Sequence, residues 1–300
     1  MKVYHNYLLI MRPANILTAV ADVLAGIAIS GIFLSWTFSG LVTAGVVLDI
    51  VVLCIASGLL YAGGIIFNDV FDYRTDLIER PERVIPRGAV SLKEASSLAS
   101  MLMAFGVLFA LFVSITAGWI ATLIVIAALV YNKWAKHHSI LGPPTMGLCR
   151  GLNLLLGVSI LPAQLELVWY VAMAPIVYIA AITMISRGEV YGMGTKPLYG
   201  AAALYLMVIG MILSYAWSMN MVGFVFPFLL AFAIMIFVPL FSAMKDPSGP
   251  RIGKAVKSGI LALILMNAAW AAAAGAWIPA LLITLLLPIS MWLAKKYAVS

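Results

Sequence analysis

An acidic motif interrupts the hydrophobic sequence of this chain. Residues 68–76 read Asn-Asp-Val-Phe-Asp-Tyr-Arg-Thr-Asp and end a hydrophobic run long enough to span a bilayer. Carboxylates in or beside lipid are costly unless a cation meets them. On a helix Asp69, Asp72 and Asp76 share one face, because their spacing is i, i+3 and i+7. Such a stripe of hard oxygen ligands suits Mg²⁺, which takes carboxylates together with phosphate oxygens and water. We therefore predict that Asn68 and the three aspartates hold a metal-bound diphosphate, with capping of the following turn as the alternative for Asp76.

Basic residues follow the acidic motif closely. Arg74, Arg80, Arg83 and Arg87 all lie in residues 74–87. The planar guanidinium group matches the geometry of phosphate oxygens. We expect Arg80, Arg83 and Arg87 to bind the diphosphate on the side away from the metal. The alternative is that these arginines only anchor the chain at the membrane surface.

The composition shows what kind of protein must position these residues. Of the 300 residues 64% are hydrophobic and 10% are charged, whereas soluble domains carry about 25% charged residues. The chain is therefore predicted to be an all-α, polytopic transmembrane helix bundle. The net charge of +7 does not indicate nucleic-acid binding, since the basic residues lie between hydrophobic segments. The hydrophobic segments cover residues 15–36, 41–67, 92–114, 116–132, 140–162, 165–185, 197–217, 222–244, 256–275 and 277–294.

Lysines and arginines are distributed unevenly among the connections between these segments. The connections near residues 37–40, 115, 163, 218–221 and 276 contain none, while the termini and the other loops contain nearly all of them. By the positive-inside rule, both termini and the acidic motif face the cytoplasm, at the inner (plasma) membrane. This orientation requires an even number of spans, and we count ten. Nine spans would place Lys295 and Lys296 outside. We see no linker that would divide residues 1–300, so we predict a single membrane-embedded domain.

One charged residue falls inside a predicted span. Arg150 lies in the middle of the fifth segment, and Asn153 follows at i+3. An arginine within a membrane span indicates a functional site and needs a carboxylate or phosphate partner. We expect Arg150 to line an internal cavity, with Asp22 of the first segment as a candidate partner. A buried structural ion pair is the alternative.

Taken together, these motifs resemble the UbiA superfamily of intramembrane prenyltransferases. The likeness depends on the acidic motif at 68–76, the arginine- and proline-rich stretch at 80–88, and Arg12-Pro13-Ala14-Asn15 before the first span. It extends over almost the whole chain. Within the superfamily, Arg150-Gly151-Leu152-Asn153 and Ile185-Ser186-Arg187-Gly188-Glu189 look like the EboC-like branch.

The resemblance implies nine to ten spans around a central cavity open to the cytoplasmic side. It implies that Mg²⁺ binds a polyprenyl diphosphate and that the isoprenyl group passes to a small, possibly aromatic, acceptor. By the same resemblance Asn15 binds substrate, and Tyr131, Lys133 and Lys136 take the place of the family's tyrosine/lysine loop motif. The spacing of these residues leaves open which lysine acts.

The chain departs from the family pattern after the sixth span. The family's second acidic motif has two aspartates, but residues 186–194 contain Glu189 as their single carboxylate. Arg187 then either replaces a metal in neutralising the diphosphate, or the chain binds or transports a prenyl lipid without full catalysis. A secondary transporter with an acidic cation site is less well supported, because transporters place their ions near the midplane of the membrane. The predicted catalytic residues are Asp69, Asp72, Lys133, Lys136 and Arg187, and the predicted substrate-binding residues are Asn15, Arg80, Arg83, Arg87, Tyr131, Arg150, Asn153 and Glu189.

Overall fold

The computed structural model describes residues 2–33, 44–189, 192 and 194–297, and every regular element in them is helical. The α-helices of this part of the chain are α1 (Lys2–Met11), α2 (Pro13–Ile29), α3 (Ala44–Phe71), α4 (Tyr73–Glu79), α5 (Leu92–Val113), α6 (Ile115–Lys133), α7 (Gly142–Val158), α8 (Leu165–Val168), α9 (Met173–Ser186), α10 (Lys196–Ser218), α11 (Val222–Lys245), α12 (Gly249–Ala273) and α13 (Trp277–Lys296). Short 3₁₀ turns occur at Ala135–His137, Pro162–Gln164 and Trp169–Ala172. The predicted all-α class is confirmed.

Most predicted spans correspond to long helices. In the described ranges eight stretches are long and apolar enough to cross a membrane, and a ninth results if the bent pair α1–α2 counts as one span. The predicted fifth span contains α7, which has 17 residues. Residues 34–36 and 41–43, at the ends of the first two predicted spans, lie outside the described residues. The count of ten stays a prediction.

Helix α12 lies at the centre of the larger hydrophobic core. All of Leu263–Ala273 is buried, and α2, α9, α10, α11 and α13 pack around it. Its sequence from Asn267 to Ala276 is rich in alanine. Small side chains allow helix backbones to approach closely within a membrane. Of the candidate spans in the described residues, α12 has the lowest mean hydropathy and the largest buried fraction. Its small side chains explain how the neighbouring helices can enclose it.

A second core joins α2, α3, α5, α6 and α7. Helices α2 and α7 approach most closely through two glycines, Gly26 and Gly157. A methyl group on Gly26 would lie 2.0 Å from the Leu154 carbonyl oxygen, and one on Gly157 would lie 2.1 Å from the Val23 carbonyl oxygen. The two backbones are therefore as close as glycine permits.

Several loops meet at one end of the bundle. The side chain of Lys136, after α6, reaches Asp72 at the end of α3. Arg187, after α9, donates to the Ser139 carbonyl oxygen in the connection between α6 and α7. Glu189 lies against Gly253 in the first turns of α12. The loops that carry most basic residues are thus on the same side as the acidic motif.

Candidate active site

The acidic motif spans the junction of α3 and α4. Helix α3 ends at Phe71, and Asp72 lies before the first residue of α4. The Asp72 amide donates to the Asn68 carbonyl oxygen, and the Asp76 amide donates to the Asp72 carbonyl oxygen. Helical register therefore continues across the junction, and Asp69 and Asp76 lie on the same side.

Arg83 joins these two aspartates. Its Nη1 is 2.7 Å from Asp76 Oδ2 and 3.6 Å from Asp69 Oδ1. The loop that carries Arg83 is anchored by Val84 and Ile85, which are buried beside α3 and α5. These apolar anchors explain how a residue outside any helix is held against the motif.

Arg12 meets the motif from another part of the chain. Its Nη2 lies 2.7 Å from Asp69 Oδ1. Arg12 has φ 48° and ψ 66°, a left-handed conformation that is uncommon for a residue with a side chain. It separates α1 from α2, which are bent by 47° relative to each other, and Pro13 after it disfavours a continuous helix. Backbone strain of this kind marks functional positions more often than ordinary ones.

Lys136 supplies a third cation. Its Nζ lies 2.5 Å from Asp72 Oδ1 and 3.3 Å from Asn68 Oδ1, to which it donates. The Asn68 amide group in turn donates to Asp72 Oδ2 at 3.2 Å. Asn132, four residues before Lys136, donates to the Gly64 carbonyl oxygen and holds α6 against α3. The two lysines of the predicted loop motif therefore differ, because Lys133 is exposed and its Nζ lies over the Trp134 ring at 4.5 Å.

A cavity of about 340 Å³ opens beside this cluster. Arg12 and Asn68 line one part of it, and Arg150 and Asn153 line another. The rest of its wall is mainly apolar and aromatic and comes from α3, α6, α7, α9 and α12. Such a volume and lining are typical of small-molecule sites in proteins. The remaining lining residues are Asn15, Ser57, Leu60, Tyr61, Gly64, Ile65, Ile124, Ala128, Tyr131, Asn132, Met146, Cys149, Ile179, Ile182, Thr183, Ile260 and Leu263.

The predicted partner of Arg150 is present. Arg150 Nε lies 2.8 Å from Asp22 Oδ2, and its Nη2 donates to Asp22 Oδ1 at 2.9 Å. Asp22 is 0% exposed and Arg150 is 5% exposed. Asn153 and Asn267 also donate to the Asp22 carboxylate, at 3.2 and 2.7 Å. A buried polar network therefore lies at this part of the cavity. Arg150 lines the cavity and forms a buried ion pair, and its role in substrate binding stays a prediction.

The side chains of four other predicted site residues are exposed or contact other parts of the chain. Arg80 is exposed, and Arg87 donates to the Asn6 side chain at 2.8 Å. Arg187 donates to the backbone of Ser139, and Glu189 lies against α12. The roles assigned to these residues from sequence stay predictions.

The donor set suits a magnesium ion, although the side chains are engaged differently in this structure. Each aspartate of the motif is paired with an arginine or a lysine. Across the described part of the chain, no three acidic, histidine or cysteine side chains are grouped so that they could hold a metal as they stand. Carboxylate and amide oxygens along one side of the α3–α4 junction are nevertheless the hard ligands that Mg²⁺ prefers. A metal with its diphosphate would fit if the basic side chains moved from the carboxylates to the phosphate oxygens.

Comparison with known sequences identifies the family. Residues 19–257 match the profile described as the UbiA prenyltransferase family, which is more than half of the chain. The chain belongs to the UbiA prenyltransferase family. The match includes the acidic motif, Lys136 and Arg150, whereas Arg12 and Asn15 lie before it. Membership of the narrower EboC-like branch stays a prediction.

A group of relatives with a common name shares part of the chain. The digeranylgeranylglyceryl phosphate synthase of Methanosarcina barkeri (strain Fusaro / DSM 804) is 32% identical over 157 residues, which is 52% of this chain and 54% of that protein. This chain thus matches about half the length of that relative.

Solved structures of UbiA homologues share the fold. The apo structure of a homologue from Aeropyrum pernix K1 aligns with a TM-score of 0.69 at 18% identity, covering 85% of this chain and 96% of that one. A homologue from Archaeoglobus fulgidus bound to GPP and Mg²⁺ aligns with a TM-score of 0.62 at 13% identity, covering 88% and 99%. The bundle described here is therefore a UbiA fold.

Sequence reasoning missed several residues of the site. Arg12 belongs to the Arg-Pro motif but is not among the predicted site residues, although an arginine followed by proline at the start of a span is a local signal. Asn267 is not among them either, yet a polar residue inside an alanine-rich span indicates a buried network or a functional site. Ser57 and Asn132 have no sequence signal that separates them from other polar residues of the spans.

Proposed function

We propose that this protein is a Mg²⁺-dependent prenyltransferase, which transfers an isoprenyl group from a polyprenyl diphosphate to a small acceptor within the membrane. One observation carries the proposal. Three aspartates and three cations, from four separate parts of the chain, lie together beside a largely apolar cavity. An ionic donor headgroup and an apolar donor tail need this combination.

The basic residues of the cluster suit the diphosphate. Arg12, Arg83 and Lys136 reach the motif from different directions, so together they can surround the phosphate oxygens. Arginine and lysine stabilise the negative charge that develops on a departing diphosphate. Bound Mg²⁺, held by Asn68 and the aspartates of the motif, would add positive charge at the same oxygens.

The cavity suits the allylic cation that remains after the donor loses its diphosphate. When the allylic carbon–oxygen bond breaks, the bonding electron pair leaves with the diphosphate and the carbon becomes cationic. An apolar wall excludes water, which would otherwise react with the cationic carbon. Tyr61 and Tyr131 line the same space, and aromatic rings whose faces meet a cation stabilise it by about 0.5–2 kcal/mol.

A second candidate function is supported by the loop after α9. Arg187 donates to the Ser139 carbonyl oxygen and Glu189 lies against Gly253, so the contacts described for the two charged side chains of this loop are with parts of the chain other than the acidic motif. A protein that binds or transports a prenyl lipid without turnover would tolerate that arrangement. The two functions make different predictions for a single assay.

The assay measures pyrophosphate release. Purified full-length protein in detergent is given radiolabelled geranylgeranyl diphosphate, Mg²⁺ and a metabolite extract. Pyrophosphate release that requires Mg²⁺ and is lost in the Asp72→Asn variant supports the proposed prenyltransferase. Asp246→Asn is the matched control, because this exposed aspartate pairs with Arg251 away from the cluster. Donor binding without release, in the presence of Mg²⁺ and the extract, would leave the lipid-binding protein and reject the enzyme.

We also propose that the acidic cluster faces the cytoplasm, within a single domain that covers residues 1–300. The proposal is supported by the basic loops, which meet at the same end of the bundle as the cluster. Positively charged loops are retained on the cytoplasmic side during membrane insertion.

A further inference from the structure

The part of the cavity next to Arg150 contains a cation whose charge is already balanced. Nη1 of Arg150 donates to the Thr18 hydroxyl, and Nη2 donates to the Thr18 carbonyl oxygen and to Asp22 Oδ1. Nε lies within ion-pair distance of Asp22 Oδ2 but makes no hydrogen bond to any described residue. The ion pair with Asp22 has two close contacts, at 2.8 and 2.9 Å. The Asp22 carboxylate therefore offsets much of the guanidinium charge that a ligand in the cavity would meet.

The neighbouring amides strengthen this pairing. Asn153 accepts a hydrogen bond from Ser57 and donates to the Ala19 carbonyl oxygen and to Asp22. Asn267 donates to Asp22 from the central helix α12. The Asp22 carboxylate is therefore held by three residues from two other helices, and it cannot move away without leaving several buried donors unpaired.

The other cation that lines the cavity is also paired. In the described part of the lining, Arg12 is the one charged residue besides Arg150, and it is bound to Asp69 at the acidic cluster. Arg12 belongs to the diphosphate end of the site. Away from that end, the described lining contains no cation that is free to pair with an anionic acceptor.

Two polar groups of the lining remain suited to a neutral ligand. The side chains of Asn15 and Tyr131 face the cavity. An amide and a phenol can bind a hydroxyl group by donating or accepting hydrogen bonds, and neither can balance a full negative charge.

We infer that the acceptor carries a neutral hydroxyl group, and that Asp22 is a specificity-determining residue that excludes anionic acceptors by neutralising Arg150. The inference rests on the proposed function, because it concerns the acceptor of that same site. In the reaction, the allylic carbon–oxygen bond breaks and its electron pair leaves with the diphosphate. The acceptor forms the new bond to that carbon, and the acceptor's proton passes to the released diphosphate.

The test compares two probes of almost equal size. Radiolabelled 4-hydroxybenzyl alcohol and 4-hydroxybenzoate share a ring and a hydroxyl, and they differ by one negative charge. Their binding to the full-length protein in detergent is measured by equilibrium dialysis, without turnover. Wild-type protein should bind the neutral probe about tenfold more tightly or better, because moving a carboxylate from water into a cavity without a free cationic partner is costly.

Two variants test the role of Asp22. Asp22→Asn keeps the shape of the side chain and leaves the Arg150 charge unbalanced, so the affinity for 4-hydroxybenzoate should rise about tenfold or more. The double variant Asp22→Asn/Arg150→Gln removes both charges and should restore the preference for the neutral probe. A merely structural role of Asp22 would change both probes alike. If Asp22→Asn does not fold, the wild-type preference still decides the inference.

The inference would be overturned if the wild-type protein bound 4-hydroxybenzoate as tightly as 4-hydroxybenzyl alcohol or more tightly. It would also be overturned if the protein bound neither probe. An unchanged preference in a folded Asp22→Asn variant would remove Asp22 as the determinant. Preference for the neutral probe in a protein that never releases pyrophosphate would reject the proposed prenyltransferase and leave the charge selection intact.

Discussion

The close approach of α2 and α7 leads to a prediction about Gly157. This glycine lies two turns after Arg150 on α7, and it faces α2 next to the turn that carries Asp22. In Gly157→Ala the added methyl group would lie 2.1 Å from the Val23 carbonyl oxygen and 2.9 Å from the Ile27 amide nitrogen. Both neighbours are backbone atoms, so no flexible side chain can give way.

The size of the effect follows from these distances. Ordinary contacts of a methyl carbon begin at 3.4 Å, which exceeds 2.1 Å by about 1.3 Å, so the two helices must separate by roughly this amount. Overpacking of this kind costs about 1–3 kcal/mol of stability. The same shift would lengthen the contacts between Arg150 and Asp22, now 2.8 and 2.9 Å, beyond hydrogen-bonding distance. A misplacement of about 1 Å in a site can reduce the rate about 100-fold.

Two measurements test the prediction. Thermal unfolding of the protein in detergent, followed by tryptophan fluorescence, reports stability, and pyrophosphate release reports activity. The control is Gly210→Ala on α10, where an added methyl group has no neighbour within 4 Å. That control should be neutral or more stable by about 0.5–1 kcal/mol, since alanine favours helices over glycine. If Gly157→Ala unfolds and reacts like Gly210→Ala, the packing argument is wrong.

Two further predictions concern the loops at the site. Lys136→Met should lower the rate of pyrophosphate release about 100-fold or more, because a group that stabilises developing charge is lost. The control is Lys133→Met, which should keep most of the rate because the Lys133 ammonium group lies over the Trp134 ring. If Lys133→Met has the larger effect, the role belongs to Lys133. For orientation, Met219→Cys should react with a membrane-impermeant maleimide in intact cells, and Lys245→Cys should react after permeabilisation. Both positions are exposed in the structure, and labelling of Lys245→Cys in intact cells would contradict the cytoplasmic placement of the acidic cluster.

Sequence patterns were sufficient for the features that depend on local composition. Long hydrophobic segments predicted the helices, because a helix in lipid must satisfy its own backbone and cover itself with apolar side chains. The acidic motif and the basic stretch after it carried the resemblance to the UbiA superfamily, and the family is confirmed. The ion pair between Asp22 and Arg150 could be named because two opposite charges inside membrane spans need partners.

The choice among similar residues was beyond the sequence. Lys133 and Lys136 have the same chemistry and lie three residues apart, yet one contacts Asp72 and the other contacts Trp134. The loop arginines are equally hard to separate by pattern. Arg83 reaches the aspartates because its apolar neighbours are anchored in a small core, and no periodicity of the loop indicates that anchoring.

The sequence by itself determined the class of protein, its helices and the chemistry available at the end of α3, since each of these follows from residue type and spacing along one segment. Tertiary structure decided which cations meet which carboxylates, where the cavity lies and that the charge of Arg150 is balanced. Those properties depend on how close separate helices come to each other. Here that distance is set by glycines and alanines at helix contacts, and their effect is apparent only once the helices are packed.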